Sequence, residues 1–186
     1  MFTTLAIAAA VVAVVIVAIL LIAAAQPDRF RIERSTNISA PPEKIFPLIN
    51  DLHENVRWSP FEKDPDMKRI HSGAAKGKGA VYDWDGNRQV GRGRIAITDS
   101  VPSSKVVMAL DMFTPFEAHN TVEFTLRPAG KSTTVTWAMF GPQPFMAKVM
   151  STFMNCDKMV GSQFEDGLGK LKAIAEGESA AGRTSA

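Results

Sequence analysis

Apolar residues run without interruption from Leu5 to Ala25, every one of them Ala, Val, Ile or Leu, and only after Gln26 do they begin to alternate with polar ones. As a helix this run covers roughly 30 Å, the thickness of a bilayer's hydrocarbon core. It satisfies its backbone polar groups internally and shows only methyl groups to lipid. The pattern predicts a transmembrane anchor over residues 1–26, a globular domain over 27–176 and a disordered tail of small polar residues over 177–186.

Within the globular part, Phe30 to Ser39 reads as a strand, and Ala40-Pro41-Pro42 stops it. Glu43 to Leu52 reads as a helix burying Ile45, Phe46, Ile49 and Leu52, with Pro42 in its first turn and Pro47 keeping it short or kinked. His53 to Pro65 reads as a connection. From Gly79 onward, strands and turns alternate. Ala80, Tyr82 and Trp84 share a face before Asp85-Gly86-Asn87, Gln89 to Thr98 returns, and Lys105 to Phe113 follows the Val101 to Ser104 turn. Asn120 to Leu126 and Thr133 to Phe140 flank a turn at Pro128 to Lys131, and in the latter strand Val135, Trp137 and Met139 face one way. Short turns between consecutive strands predict an antiparallel meander. After Gly141 to Pro144, apolar positions from Met146 to Ile174 recur at three- and four-residue spacing, as in one long helix. The class is α+β, a curved antiparallel sheet wrapped around that helix, preceded by one transmembrane helix.

Two readings of the apolar run stay open. Ala23-Ala24-Ala25 suits a cleaved export signal, but Met1 to Thr4 lacks the basic start of one, and the run exceeds the usual apolar length of about 7–15 residues. The anchor reading is therefore preferred. Arg29, Arg31 and Arg34 follow the span and no basic residue precedes it, which puts the domain on the cytoplasmic side. The single cysteine, Cys156, permits no intrachain disulfide. A formal charge of +2, with basic residues scattered among acids, argues against nucleic acid as a partner. Oligomeric state is not readable.

Local wording then narrows the fold. Ile38-Ser39-Ala40-Pro41-Pro42-Glu43-Lys44-Ile45-Phe46, Arg57-Trp58-Ser59-Pro60-Phe61, Gly91-Arg92-Gly93-Arg94-Ile95, Thr121 to Leu126 and Gly161 to Leu168 together resemble the SRPBCC superfamily, also described as START-like, Bet v 1-like or polyketide cyclase/dehydrase. The resemblance covers about Phe30 to Glu176. It implies a helix-grip fold with an apolar cavity between the sheet and the last helix, and no single activity, because carriers, receptors and enzymes share the fold.

Candidates for lining that cavity are Trp58, Tyr82, Trp84, Met112, Phe113, Phe116, Trp137, Met139 and Phe140 from the strands and loops, and Met146, Met150, Phe153 and Asp157 from the helical segment. Nine methionines and eleven phenylalanines supply soft apolar surface suited to variable hydrophobic ligands, and the same residues equally suit a filled core. Phe145 and Met146, with the Phe113 to Phe116 loop, are candidates for an entrance. Asp157 is expected either to pair with Arg34 or Arg92 inside the cavity, fixing a ligand's polar head, or, the preferred reading, to reach solvent beside Lys158. His53, His71 and His119 fall in loops or at a strand start, no zinc spacing is present, and Asp83 to Asn87 lacks the twelfth-position acid of a calcium loop, so no metal or cofactor is expected. No catalytic set is assigned, and whether the chain is an enzyme stays open. The reading reached is a membrane-tethered binder of a hydrophobic small molecule or lipid. A cyclase or dehydratase using Tyr82, His119 and Asp157 is the alternative, and a non-catalytic interaction domain is the third.

Overall fold

The computed structural model describes residues 2–177, so the expected tail lies almost wholly outside the described residues. Helix α1 (Phe2–Ala25) is followed after a short link by β1 (Arg29–Ile38). Then come α2 (Pro42–Asn50), α3 (Asn55–Trp58), β2 (Lys68–Gly73), β3 (Ala80–Asp85), β4 (Arg92–Val101), β5 (Lys105–Thr114), β6 (Ala118–Ala129), β7 (Ser132–Pro142), α4 (Phe145–Phe153) and α5 (Cys156–Ala175). The strands form one seven-stranded sheet in the order β1-β7-β6-β5-β4-β3-β2, antiparallel throughout. The expected meander runs in chain order from β3 to β7; β2 extends it at one edge, and β1 closes the far edge beside β7.

Strand β2 is not foreseen from the pattern. Its six residues carry one large aliphatic, Ile70, which is exposed, so no alternation marks it; pairing with β3 is what makes it a strand. The long helical pattern is also two helices. The chain breaks at Met154-Asn155, where the Asn155 side chain accepts a hydrogen bond from the Lys158 amide and caps α5. Apolar periodicity continues across the break, but only α5 buries its apolar stripe; the residue α4 buries is Lys148. Helix α4 packs on the end of α1, whereas α5 lies along β1 and touches α3 and α2.

Helix α5 approaches the sheet closely. A Cβ at Gly167 would lie 2.7 Å from the Trp137 ring and 2.9 Å from Pro60, and one at Gly161 would lie 2.0 Å from the Arg34 guanidinium. Phe164, Leu168 and Leu171 then reach Ile38, Val135, Trp137 and Phe124 in one core, with Ile45, Ile49 and Leu52 of α2 and its following turn beside them. Register shifts between Arg92 and Gly93 and between Ile97 and Asp99 bend β4. At Gly93 the Trp84 ring crosses the backbone so closely that a Cβ would sit 2.4 Å from it.

Topology fixes a further relation. The start of β1, the end of β7, the start of β6, the end of β5, the start of β4 and the end of β3 all lie at one end of the antiparallel sheet. That is the end at which α1 joins the domain.

Candidate functional site

Alternation along the strands sorts the expected cavity residues by face. The buried series Thr133, Val135, Trp137 on β7 and Val122, Phe124, Leu126 on β6 define the concave, helix-covered face. Registers then draw a row across that face: His71, Tyr82, Ile95, Leu110, Asn120, Gly141 and Phe30. A second row, Arg69, Trp84, Gly93, Met112 and Ala118, runs beside it at the end nearest α1. Trp84, Ile95, Leu110, Met139 and Phe30 are only partly buried and pack against the core from its open side. Together they make a partly exposed apolar strip along the concave face, called the trough.

Trp58 and Trp137 lie elsewhere than expected: inside the packed core. The Trp137 ring stacks on Phe164 at 4.2 Å and 9°, meets Trp58 edge-on at 5.6 Å, and has Phe124 at 4.9 Å. Trp58 donates its indole N–H to the Leu48 carbonyl at 2.8 Å. The space directly beneath α5, expected to be hollow, is therefore filled there, because glycines at 161 and 167 let the helix settle onto the sheet. Phe140 sits on the opposite, outer face, beneath the Arg31 guanidinium at 5.2 Å. The alternation that points Trp137 and Met139 inward already places Phe140 outward. Phe113, Phe116, Met146, Met150 and Phe153 are exposed rather than in the trough.

One polar residue and one polar cluster on this face carried no signal in the sequence. Asn120 lies among Leu110, Gly141 and Phe30, and glycine at 141 leaves room for its amide, whose oxygen would be 2.3 Å from a Cβ there. At the β2–β3 end, the Tyr82 hydroxyl donates to Glu62 at 2.8 Å, and Arg69 grips the same carboxylate through Nε and Nη2 at 2.9 and 2.8 Å. Glu62 comes from the loop after α3, so nothing in its local sequence pairs it with Tyr82. His71 stacks on Tyr82 at 4.8 Å and on His53 at 3.9 Å, bringing together two histidines that no shared element predicts. Beside them an open cleft of about 160 Å³ is lined by Leu52, His53, His71, Ala80, Val81 and the Ser72–Ala75 segment.

Burial, and then the bond to the Glu62 carboxylate, pushes the Tyr82 hydroxyl well above its ordinary range. Burial, and then the neighbouring His53, push the His71 imidazole below its ordinary range, which favours its neutral form. A raised folded-state pKa holds its full stabilisation below the unfolded value of about 10, and that stabilisation fades as pH climbs beyond it. Tyr82 is the only tyrosine in the chain, so phenolate absorbance reads it alone. Its ionisation is expected to be delayed to the alkaline unfolding transition, whereas a titration at the ordinary tyrosine pH in folded protein refutes the buried bond.

Asp157 pairs with Arg34 as expected, but on the surface and not inside a cavity. Its carboxylate accepts from Arg34 Nη2 at 2.9 Å while its side chain stays 61% exposed, and Glu165 takes Arg34 Nε at 2.8 Å. The Arg34 hydrogen bond holds Asp157 below the usual carboxylate range, on the surface of α5 and away from the trough. His119 lies on the outer face, bonded to Asp111 at 2.7 Å, and that bond raises its pKa. Neither residue joins Tyr82, so the three do not form one proton-transfer set. Among the described residues no group of three or more His, Cys, Asp or Glu is placed to hold a metal ion.

With this geometry in hand, comparison with known proteins is specific at the family level. The family model described as "Polyketide cyclase / dehydrase and lipid transport" matches residues 29–176. No curated protein matches the sequence. Among solved structures, protein MLL2253 from Mesorhizobium loti is similar at 16% identity and a TM-score of 0.59, over 81% of this chain and 99% of that one. Protein CV1439 from Chromobacterium violaceum is similar at 15% identity and a TM-score of 0.56, over 81% and 99%. The Aha1 dimer from Colwellia psychrerythraea is similar at 17% identity and a TM-score of 0.56, over 81% and 98%. At these identities the likeness is one of fold, the helix-grip arrangement.

Proposed function

The chain belongs to the polyketide cyclase/dehydrase and lipid transport family, and from that premise we propose that it binds a hydrophobic small molecule or lipid in the trough, while α1 anchors the domain to a membrane. The observation that carries this reading is the partly buried apolar row from Tyr82 through Ile95 and Leu110 to Phe30, which ends where α1 joins the sheet. A guest leaving the bilayer would meet that end first. Its apolar body would cover Ile95, Leu110, Met112 and Met139, with about 25 cal/mol gained per Å² of apolar surface before ordering costs. The Asn120 amide offers a hydrogen bond to one polar group, which fixes orientation. The helix meets the length and composition of a span, and an export signal near an N-terminus meets the same criteria; the anchor is therefore part of the proposal. So are the domain limits of 27–176 and the cytoplasmic orientation.

Leu110→Lys places an ammonium in the trough. It is expected to weaken binding of a fluorescent acyl-chain probe to the full chain by about tenfold or more. Val107→Lys, on the outer face of the same strand opposite Glu123, should leave it unchanged. Equal affinities for both variants would remove the trough from consideration.

One observation favours the second reading, a cyclase or dehydratase. Tyr82, Glu62 and Arg69 form a bonded acid–base group on the same face as the trough. With its proton held at neutral pH, Tyr82 would act as hydrogen-bond donor to a carbonyl oxygen of a bound substrate. Under this reading Tyr82→Phe keeps probe binding and loses turnover; under the binding reading it changes neither.

A further inference from the structure

Helix α4 has two dissimilar arcs. Lys148, Ser151 and Thr152 fall on one, and Phe145, Met146, Val149, Met150 and Phe153 on the other. The polar arc is fully engaged at the end of α1. Lys148 Nζ, with its side chain only 7% exposed, donates to the Gln26 carbonyl at 2.9 Å and to Asp28 at 2.6 Å. Ser151 donates to the Gln26 side chain at 2.7 Å, whose amide in turn donates to Thr152 at 3.2 Å. Gln143 joins the same knot. These bonds fix the rotation of α4, so its apolar arc cannot turn inward.

That arc is left bare. Met146 is 69% exposed, Phe153 68% and Met150 46%, and Phe116 in the β5–β6 turn at the same end of the sheet is 71% exposed. Yet Ala23, two residues inside the apolar run of α1, is completely covered, and Ile19 one turn earlier is partly covered, on the flank that continues to Gln26. Helix α4 packs against α1. It therefore lies beside the last two turns of the span rather than below them. A 23-residue apolar helix measures about 35 Å, roughly one turn more than the hydrocarbon core needs. Its final turns, and α4 with them, fall at the boundary between acyl chains and headgroups.

We infer that α4 and the Phe113–Phe116 turn are inserted into the bilayer interface, with the α4 apolar arc seated about 5–10 Å deep among the acyl chains. The occupant of this surface is the membrane that holds α1, because the bare arc belongs to a helix packed directly against the end of the span. Arg92, whose guanidinium lies 5.8 Å over the Phe113 ring, and the exposed Arg29 stand at headgroup level beside it. The inference rests on the anchor reading and deepens it. The mouth of the trough then opens inside the interface, so a lipophilic guest passes from lipid to protein without entering bulk water.

The test uses the full chain, with Cys156→Ser and one new cysteine at Val15, Met146, Phe153 or Lys131. Each is labelled with an environment-sensitive fluorophore in phosphatidylcholine–phosphatidylglycerol vesicles. Doxyl-lipid labelled near the headgroup end of the acyl chain is expected to quench positions 146 and 153 severalfold more than 131, with aqueous iodide giving the reverse order. Iodide quenching of 146 and 153 equal to that of 131, while mid-chain doxyl-lipid quenches 15, overturns the insertion and leaves the anchor standing. Protection from both quenchers means a protein covers the arc and also overturns it. Position 15 open to iodide overturns anchor and insertion together. A second readout needs no substitution: a photo-activatable acyl chain is expected to cross-link wild-type peptides spanning Phe145–Phe153, and cross-links confined to α1 count against insertion.

Discussion

Trp137→Ala lowers the unfolding free energy of the domain by about 3–5 kcal/mol, measured by denaturant titration of the full chain in detergent micelles. Trp137 is 5% exposed and touches Phe164, Trp58, Phe124 and Phe61 in one aromatic cluster. Alanine removes the ring against which Gly167 rests and leaves a void, while Pro60 at Gly167 and Arg34 at Gly161 still hold α5 off the sheet. In a chain of this length such a loss corresponds to roughly 10 °C in Tm. Trp137→Phe gives the informative contrast. The indole N–H has no hydrogen-bond partner among the described residues. Phenylalanine keeps a ring on Phe164 and removes a buried, unpaired donor, so the change is expected to cost under about 1.5 kcal/mol. If Trp137→Ala abolished probe binding while stability barely moved, Trp137 would belong to a ligand wall, and the packed arrangement beneath α5 would be wrong.

Glu62→Ala is expected to cost about 2–4 kcal/mol. The Glu62 side chain is 10% exposed and that of Arg69 26%, which sets this pair between a surface ion pair and a fully buried one. Losing the carboxylate leaves the Tyr82 hydroxyl without its acceptor and Arg69 with only the carbonyls of Asp64, Pro65 and Met67. The loop from Phe61 to Met67 is held to β2 and β3 through these contacts. Faster amide exchange there is expected alongside the stability loss. A cycle of Glu62→Ala and Tyr82→Phe should show coupling, because both remove the same bond. Additive costs would mean that Tyr82 and Glu62 do not interact. The Arg34–Asp157 pair provides a reference: with Asp157 largely exposed, Asp157→Asn is expected to change stability by less than about 1 kcal/mol.

Much of the fold was legible because local periodicity carries it. The clean alternation of Val122, Phe124 and Leu126 set the inward face of β6, and Pro42 and the Gly141–Pro144 segment marked element ends. Strand β2 was hidden because Lys68 to Gly73 lies at the sheet edge with little to bury. The break before α5 was hidden because Asn155 caps a helix without interrupting the apolar stripe. The candidate site was less legible. Tyr82 and Trp84 were found from alternation, while Glu62 and Asn120 look locally like any surface polar residues. His53 and His71 are distant in sequence and meet only because β2 folds back beside the turn after α2.

The sequence by itself determined a single apolar helix long enough to span a bilayer, an α+β domain and the inward face of most strands. Each follows from the spacing of apolar residues, which nearby backbone geometry alone converts into a face. What fills that face is decided by elements far apart in the chain. Only the tertiary structure packed Phe164 onto Trp137, turned the trough toward the end where α1 enters, and left the apolar arc of α4 bare beside it. Close approach of two surfaces depends on both at once, through glycines on one and rings on the other, and periodicity along one segment carries no record of its partner.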